Sequence, residues 1–392
     1  MDNVVILSGV RTPIGAFQGA LGSLTAPQLG ATAIQGALAA AGVDAGQVDE
    51  VLMGNVLSAA LGQAPARQAA LGAGLPQSVP CTTINKVCGS GMKAVMMAAQ
   101  AIALGDAQVV VAGGMESMTN APYALPQARA GYRMGNGNLV DLMIHDGLWD
   151  PYKNVHMGTC GDACATEFSF SREELDAYSA ESYRRALAAQ TGGQFKDEIV
   201  PVAVPQRKGD PVMVDTDEEP GRGNPAKLPE LRPAFSKEGV TTAGNASSIN
   251  DGAAALVLAS EAWAQANGKT AIGQVVGYVQ HAQAPEWFTT APAAAIQKLL
   301  DKHGLTVADV DLFEVNEAFA VVAMYAAREV GIPHDKLNVN GGAVSIGHPI
   351  GMTGARLVLT ALHELRRRGG RYAIATPCIG GGEATAVLIE AL

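Results

Sequence analysis

Charge is scarce in this chain. Of 392 residues only 16% are Asp, Glu, Lys or Arg, and acids outnumber bases 37 to 27. A formal charge of −10 leaves no basic surplus for a phosphate backbone, which argues against a nucleic-acid partner. An anionic small molecule remains open through a local basic patch. Cysteine is also scarce: five, an odd number, and not in metal-ligand spacing. That speaks against a disulfide framework and for a reducing compartment, here the cytoplasm. The opening run, Met1-Asp2-Asn3-Val4-Val5-Ile6-Leu7, is too short for a secretory leader and reads as a strand. No apolar run is expected to reach the length of a membrane span, so no membrane partner is expected. What the chain has in quantity is apolar residues, 48%, and glycine, 46 of them. These describe a heavily buried globular protein with room for two or three domains.

One stretch organises the rest: Asn85-Lys86-Val87-Cys88-Gly89-Ser90-Gly91-Met92-Lys93-Ala94. It places a cysteine where a glycine-rich turn runs into a helix, predicted over Met92 to Leu104 and stopped by Gly105. A thiol there faces unpaired backbone N–H groups and the positive end of the helix dipole, and both favour the thiolate. A buried structural cysteine in a turn explains these ten residues equally well. The rest of the chain has to decide.

Val4 to Ser8 reads as a buried strand, followed by a loop with Arg11-Thr12-Pro13. Thr25, Pro27 and Gln28 signal a helix that runs to Gly42. Val48 to Leu57 holds a short strand, Ala64 to Gly72 a helix, and Gln108 to Ala112 a strand covered on both faces. This alternation argues for an α/β layered fold. From Thr119 to Asn245 it lapses into loops, with one clear helix beginning at the Ser171–Glu174 capping box. It resumes at Asn250-Asp251-Gly252. The second half then repeats the first. Asp311 to Asn316 matches Asp49 to Asn55, and Gly351-Met352 matches Gly91-Met92. Tyr372 to Pro377 matches Val109 to Gly114, and Glu383 to Glu390 matches Gly252 to Glu261. Two related halves, interrupted once, are expected.

The repeat sets His348, in its own glycine-rich approach to a helix, where Cys88 stands in the first half. Halves packed about a pseudo-twofold axis would bring both helix starts to one cleft, where imidazole can take the thiol proton. At a helix start His348 would be held neutral and available as a base. Cys378 lies in Thr376-Pro377-Cys378-Ile379-Gly380-Gly381-Gly382, where glycine N–H groups could form an oxyanion hole.

Val87-Cys88-Gly89-Ser90-Gly91, Asn316-Glu317-Ala318-Phe319, Gly347-His348-Pro349 and Cys378-Ile379-Gly380-Gly381-Gly382 resemble the four signature blocks of the thiolases. The likeness covers nearly the whole chain. It implies two duplicated βαβαβαββ halves in an α-β-α-β-α core: residues 1–118 with 246–270, and residues 271–392. A loop domain for coenzyme A, residues 119–245, is inserted between them. The activity it implies is reversible condensation of two acetyl-CoA to acetoacetyl-CoA through an acetyl-cysteine, without metal or redox cofactor. In that scheme Cys88 is the nucleophile, His348 its base and Cys378 the base for the second substrate. Asn316 holds a water that serves the enolate with His348, and the N–H groups of Cys88 and Gly380 serve the tetrahedral intermediate.

By the same resemblance Ser247 bonds the pantetheine arm, and Ala243 and Phe235 line its channel. Arg222, among Lys227, Arg232 and Lys237, is the candidate for the nucleotide end. His156 and Met157 contact the acyl end, and Met157 with Phe288 restricts it to two carbons; Ala318 and Phe319 complete the wall. Homotetramers built as dimers of dimers are implied, or simple dimers. The competing readings are a degradative 3-ketoacyl-CoA thiolase, a ketoacyl synthase and a hydroxymethylglutaryl-CoA synthase. A non-catalytic CoA or lipid binder and a zinc module on His156, Cys160 and Cys164 complete the set. Ketoacyl synthases use Cys with two His, whereas the matching blocks here hold Asn316 and Cys378.

Overall fold

The computed structural model describes residues 3–392; Met1 and Asp2, at the head of the opening run, lie outside the described residues. The first half runs β1 (Val4–Arg11), α1 (Ala26–Ala41), β2 (Glu50–Gly54), α2 (Pro65–Gly72), β3 (Cys81–Ile84), α3 (Ser90–Leu104) and β4 (Val109–Ser117). After an irregular segment containing α4 (Met157–Glu167) and α5 (Arg172–Gly192), β5 (Asn250–Ser260) closes it. The second half follows as β6 (Gly273–Ala282), α6 (Ala291–His303), β7 (Leu312–Val315), α7 (Ala320–Val330), α8 (Ile350–Arg368), β8 (Tyr372–Thr376) and β9 (Glu383–Ala391).

All four stretches of internal similarity fall on equivalent elements: β2 with β7, the starts of α3 and α8, β4 with β8, and β5 with β9. The spatial order is β7-β8-β9-β6-β1-β5-β4-β2-β3. Within it β4–β2–β3 and β8–β7 are parallel, while the pairs through β5 and β9 are antiparallel. The halves meet at β1 and β6 through only two residue pairs, Val5 with Gln274 and Ile6 with Gly273. In the second half a single parallel bridge, Phe313 with Leu337, occupies the place of β3.

The caps follow from local chemistry. Thr25 and Gln28 form a capping box ahead of α1, and Gly42 ends it at φ 61°, where a Cβ would be strained. Strands β4 and β5 are buried along their whole length, because helices cover both faces. Val109, Val111 and Val257 face α1 and α2, while Val110, Leu256 and Leu258 face α3 and α8. On the far side Ala373, Val387 and Ile389 meet the same central helices, and Ile374 and Leu388 pack toward α6 and α7. The order of layers is therefore α-β-α-β-α.

The central pair, α3 and α8, crosses where side chains are missing. A Cβ on Gly91 would lie 2.9 Å from the Ala355 nitrogen, and one on Gly354 would lie 2.5 Å from the Met92 nitrogen. Only glycine permits backbones this close, and the contact fixes the two helix starts beside each other.

Three expectations need correction. Strand β1 extends to Arg11, beyond the predicted Ser8, because its ladder with β5 continues to Arg11–Ala254. Residues Val87–Leu104 do form an apolar stretch long enough for a membrane span, 18 residues at mean hydropathy 1.4. They make the core helix α3 and the turn leading into it, apolar because both halves of the sheet and α8 surround the helix. Helix α4 lies where only loop was expected; its start, His156-Met157, is capped by the His156 ring, which accepts from the Gly158 N–H at 3.1 Å.

Candidate active site

Cys88 immediately precedes Gly89, the cap of α3, and His348 immediately precedes Pro349, the cap of α8. The two residues thus occupy the same position on equivalent helices. The turn that delivers Cys88 is tightly held. Asn85 Oδ1 accepts from the Val87 N–H at 3.0 Å, and Ser90 Oγ accepts from the Lys86 N–H at 2.8 Å and donates to the Val87 carbonyl at 2.6 Å. Val87 sits at φ 45°, an unusual conformation for a β-branched residue. A Cβ on Gly89 would strike Ile379 Cδ1 at 2.4 Å, so the loop of Cys378 rests on the turn of Cys88. An ion pair between Lys86 and Glu383 ties the same two loops.

These loops floor a cavity of about 510 Å3. Cys88, His348 and Gly380 line it together with Ser247, Ala243, His156, Met157, Phe235, Arg222, Phe288, Ala318 and Phe319. Its wall includes an aromatic series: His156 stacks on Phe235 at 4.6 Å, and Phe319 meets Phe235 and Phe288 edge-on at 6.0 and 6.3 Å. Of the four basic residues considered for the nucleotide end only Arg222 reaches the cavity; Lys227, Arg232 and Lys237 do not line it. Cys378 and Asn316 lie behind the floor, both fully buried. Asn316 Nδ2 donates to His348 Nε2 at 3.3 Å and also reaches the Cys378 sulfur. A second cavity of about 570 Å3, among Asp197, His363, Arg366 and Gly370, gathers none of the candidate residues.

The electrostatics of the site overturn one expectation. Burial pushes the Cys88 thiol up to about 11, against the pull of the Gly380 N–H and its own N–H, which both point at its sulfur. The helix start does not make a resting thiolate; burial outweighs it. Cys378 is also pushed well above the ordinary thiol range, by burial and by the nearby Cys88, so it too rests as a thiol. His348 is brought down to about 3 by burial and by the charge of Arg356. It is therefore neutral, as the sequence implied, with burial as the main cause. His348 and Cys88 share the cavity without a hydrogen bond between them. A neutral base beside a protonated thiol, with two N–H groups converging on the sulfur, is equipped for nucleophilic attack on a carbonyl carbon.

Comparison with known proteins decides the family. The model of the thiolase N-terminal domain matches residues 4–262, and that of the thiolase C-terminal domain matches residues 269–391. The chain is a thiolase. An "Acetyl-CoA acetyltransferase" of Pseudomonas aeruginosa is 50% identical over 390 residues, covering 99% of each chain. "Acetyl-CoA acetyltransferase 2" of Arabidopsis thaliana is 54% identical, covering all of this chain and 97% of that one. The solved Acat5 thiolase of Ascaris suum, in complex with coenzyme A, superposes with a TM-score of 0.95 at 44% identity over the full length of both chains. The two synthase readings give way to this membership.

The metal reading also fails on geometry: among the described residues no three His, Cys, Asp or Glu side chains converge as ligands. In this thiolase Cys164 is packed in the apolar core, and the Cys160 sulfur lies 3.9 Å from Asp150 Oδ2. Several cavity residues escaped the sequence reading: Phe17, Val87, Leu148, Ile249 and Ile350. Val87 opens the first signature block and Ile350 follows the third, so both were reachable from the signatures. Phe17 and Leu148 come from distant loops that no periodicity marks.

Proposed function

We propose that this thiolase is an acetyl-CoA C-acetyltransferase, joining two acetyl-CoA reversibly into acetoacetyl-CoA and free CoA. One observation carries the reading: Cys88 and His348 meet at the floor of a single cavity, with two N–H groups on the Cys88 sulfur and Cys378 buried just behind that floor beside Cys88. The names of relatives about half identical over their full length support the substrate.

The resting protonation states order the steps. His348 Nε2 takes the Cys88 proton as the sulfur adds to the acetyl carbonyl, whose oxygen is met by the Cys88 and Gly380 N–H groups. The thioester C–S bond breaks, and the departing CoA thiolate takes the proton of Cys378. A second acetyl-CoA enters. The Cys378 thiolate, a strong base because it is buried, removes a proton from the methyl carbon. The resulting enolate faces the His348 imidazolium and a water held by Asn316. Its carbon attacks the acetyl-Cys88; the C–S bond breaks, and Cys88 recovers its proton from His348. No net oxidation or reduction occurs, so the sequence of steps asks for no redox cofactor, and each developing charge is met by a group already named, without a metal.

Ala243, Phe235, His156 and Arg222 line the cavity from the inserted segment and Ser247 from just beyond it, which suits the pantetheine arm and nucleotide of CoA. Met157 and the buried Phe288 narrow the acyl end to two carbons. Thiolysis across chain length tests this reading. Activity confined to acetoacetyl-CoA, and lost in Cys88→Ala, is expected. Equal rates on 3-ketodecanoyl-CoA would move the protein to the degradative class. No thiolysis at all would favour a non-catalytic CoA binder.

The requirement for two free thiols suits the cytoplasm. A homotetramer, as a dimer of dimers, suits two features of the surface. Strand β3 ends the sheet order, and the hairpin around Tyr123–Ala124 and Val140–Asp141 exposes Tyr123, Leu125, Met134 and Leu139. Light scattering after size-exclusion chromatography reads the mass directly, and a monomer would refute the assembly.

A further inference from the structure

His348 has a second ring nitrogen, and its partner is not a carboxylate. Nδ1 lies 2.6 Å from the hydroxyl oxygen of Thr353, in the first turns of α8, where Thr353 is fully buried. That hydroxyl also lies 2.9 Å from the carbonyl oxygen of Pro349, to which it donates; the Thr353 backbone N–H bonds the same carbonyl at 3.0 Å. A threonine hydroxyl bonding back to the carbonyl four residues earlier is a natural helix interaction. With its hydrogen committed there, the oxygen presents lone pairs to Nδ1, and the ring must supply the proton.

The other side of the ring agrees. Asn316 Nδ2, a donor, faces Nε2 at 3.3 Å, and the Asn316 oxygen has no partner. The same Nδ2 group also reaches the Cys378 sulfur, so this face of the amide is the donating one. Nε2 therefore carries the lone pair.

We infer that Thr353 is a positioning residue that holds His348 as the Nδ1–H tautomer, aiming the Nε2 lone pair as the base of the site. The inference deepens the proposed mechanism and rests on His348 acting there as base. When Nε2 takes the Cys88 proton, Nδ1–H stays bonded to Thr353, whose own hydrogen stays on Pro349. The chain of bonds ends at a carbonyl, so no proton leaves the ring by this route. The neutral hydroxyl fixes orientation and tautomer without the counter-charge that a carboxylate would bring.

The test joins a spectrum to kinetics. Nitrogen-15 NMR of the labelled resting protein, with His348→Gln to assign the signal, reads which ring nitrogen bears hydrogen. Nδ1 protonated and Nε2 bare is expected, and the reverse would overturn the inference whatever the variants do. Thr353→Val keeps the shape and removes the hydroxyl. It should lower kcat by about 10- to 100-fold, the range seen when partners that orient a histidine are removed, with KM nearly unchanged. Thr353→Ser should restore most of the rate. Wild-type kcat in Thr353→Val, or no recovery in Thr353→Ser, would also overturn it. Full thiolysis by His348→Gln would instead remove the base assignment, leaving the tautomer to the spectrum.

Discussion

At the sulfur of Cys88 two effects oppose each other. The Gly380 N–H and its own N–H favour the thiolate; burial disfavours it and prevails, leaving the group at about 11. Alkylation of Cys88 by iodoacetamide, followed on its own peptide, should therefore climb through pH 9 at about tenfold per pH unit. An ordinary thiol near 8.5 levels off there. A plateau near pH 8 would show that the helix end wins after all. His348 gives the complementary case. Its folded value, about 3, lies below the ordinary 6.5. Unfolded chains bind this proton more readily, so the contribution to stability is full above about pH 6.5 and is lost as pH falls toward 3. His348→Gln should flatten that limb of the stability curve by up to one proton, about 1.4 kcal/mol per pH unit. An unchanged slope in urea titrations would refute it. Cys88, His348 and Cys378 were legible because glycines flank each of them, marking turns into helices or strand ends. The balance at Cys88 was not, since it depends on how much protein closes over the turn. Nor was the role of Thr353: a threonine one turn into a helix looks like any other until its oxygen is placed against Nδ1.

The elements show the same division. The repeat was readable because β2, α3, β4 and β5 recur in the same order as β7, α8, β8 and β9, with similar residues at matching places. Helix α4 was hidden by its own composition. Met157 to Glu167 includes two glycines, two cysteines and two threonines, none a strong helix former, so packing against α7 and the 3-10 turn at Pro285–Trp287 decides its state. Glu116 was hidden as well, inside a glycine-rich strand end. Its carboxylate joins three elements. Oε1 accepts from the Leu57 N–H at 3.0 Å and Asn55 Nδ2 at 2.8 Å; Oε2 accepts from the Val56 N–H at 3.1 Å and the Gly351 N–H at 2.8 Å. Gly351 belongs to the first turn of α8, three residues from His348. Glu116→Gln would turn an amide group toward donors, leaving at least one pair of N–H groups opposed in a buried place. A loss of about 1–3 kcal/mol in unfolding free energy, read from urea titration, is expected, with kcat falling more than KM rises because the start of α8 shifts. Wild-type stability in this variant would mean that the carboxylate does not hold α8 in place.

At the scale of the molecule, the inserted segment must stay docked on the core, because the cavity is closed by both. Apolar contact alone would leave the two free to slide. A buried ionic joint fixes them instead. Arg11, at the end of core strand β1, is fully buried and donates to Glu198 Oε1 at 2.6 Å and to both oxygens of Asp217 at 2.7 and 2.9 Å. Asp217 Oδ1 also accepts from the Ile14 N–H at 2.7 Å, and the Arg11 guanidinium lies over the Phe195 ring at 5.1 Å. Glu198 and Asp217 both belong to the inserted segment. The fork of the guanidinium matches the Asp217 carboxylate in two parallel bonds, a geometry lysine cannot reproduce. Arg11→Met would keep the volume and leave two buried carboxylates without their cation, at a cost of about 3–5 kcal/mol. The loss should localise first. Limited proteolysis should nick residues 119–245 before the sheet, and CoA affinity should fall while the Cys88 peptide remains protected. Adding Asp217→Asn and Glu198→Gln to Arg11→Met should recover part of the stability, because the uncompensated charges are then gone. If Arg11→Met melts with the wild type, or if the core is cut as early as the insertion, the joint is not what holds the two together.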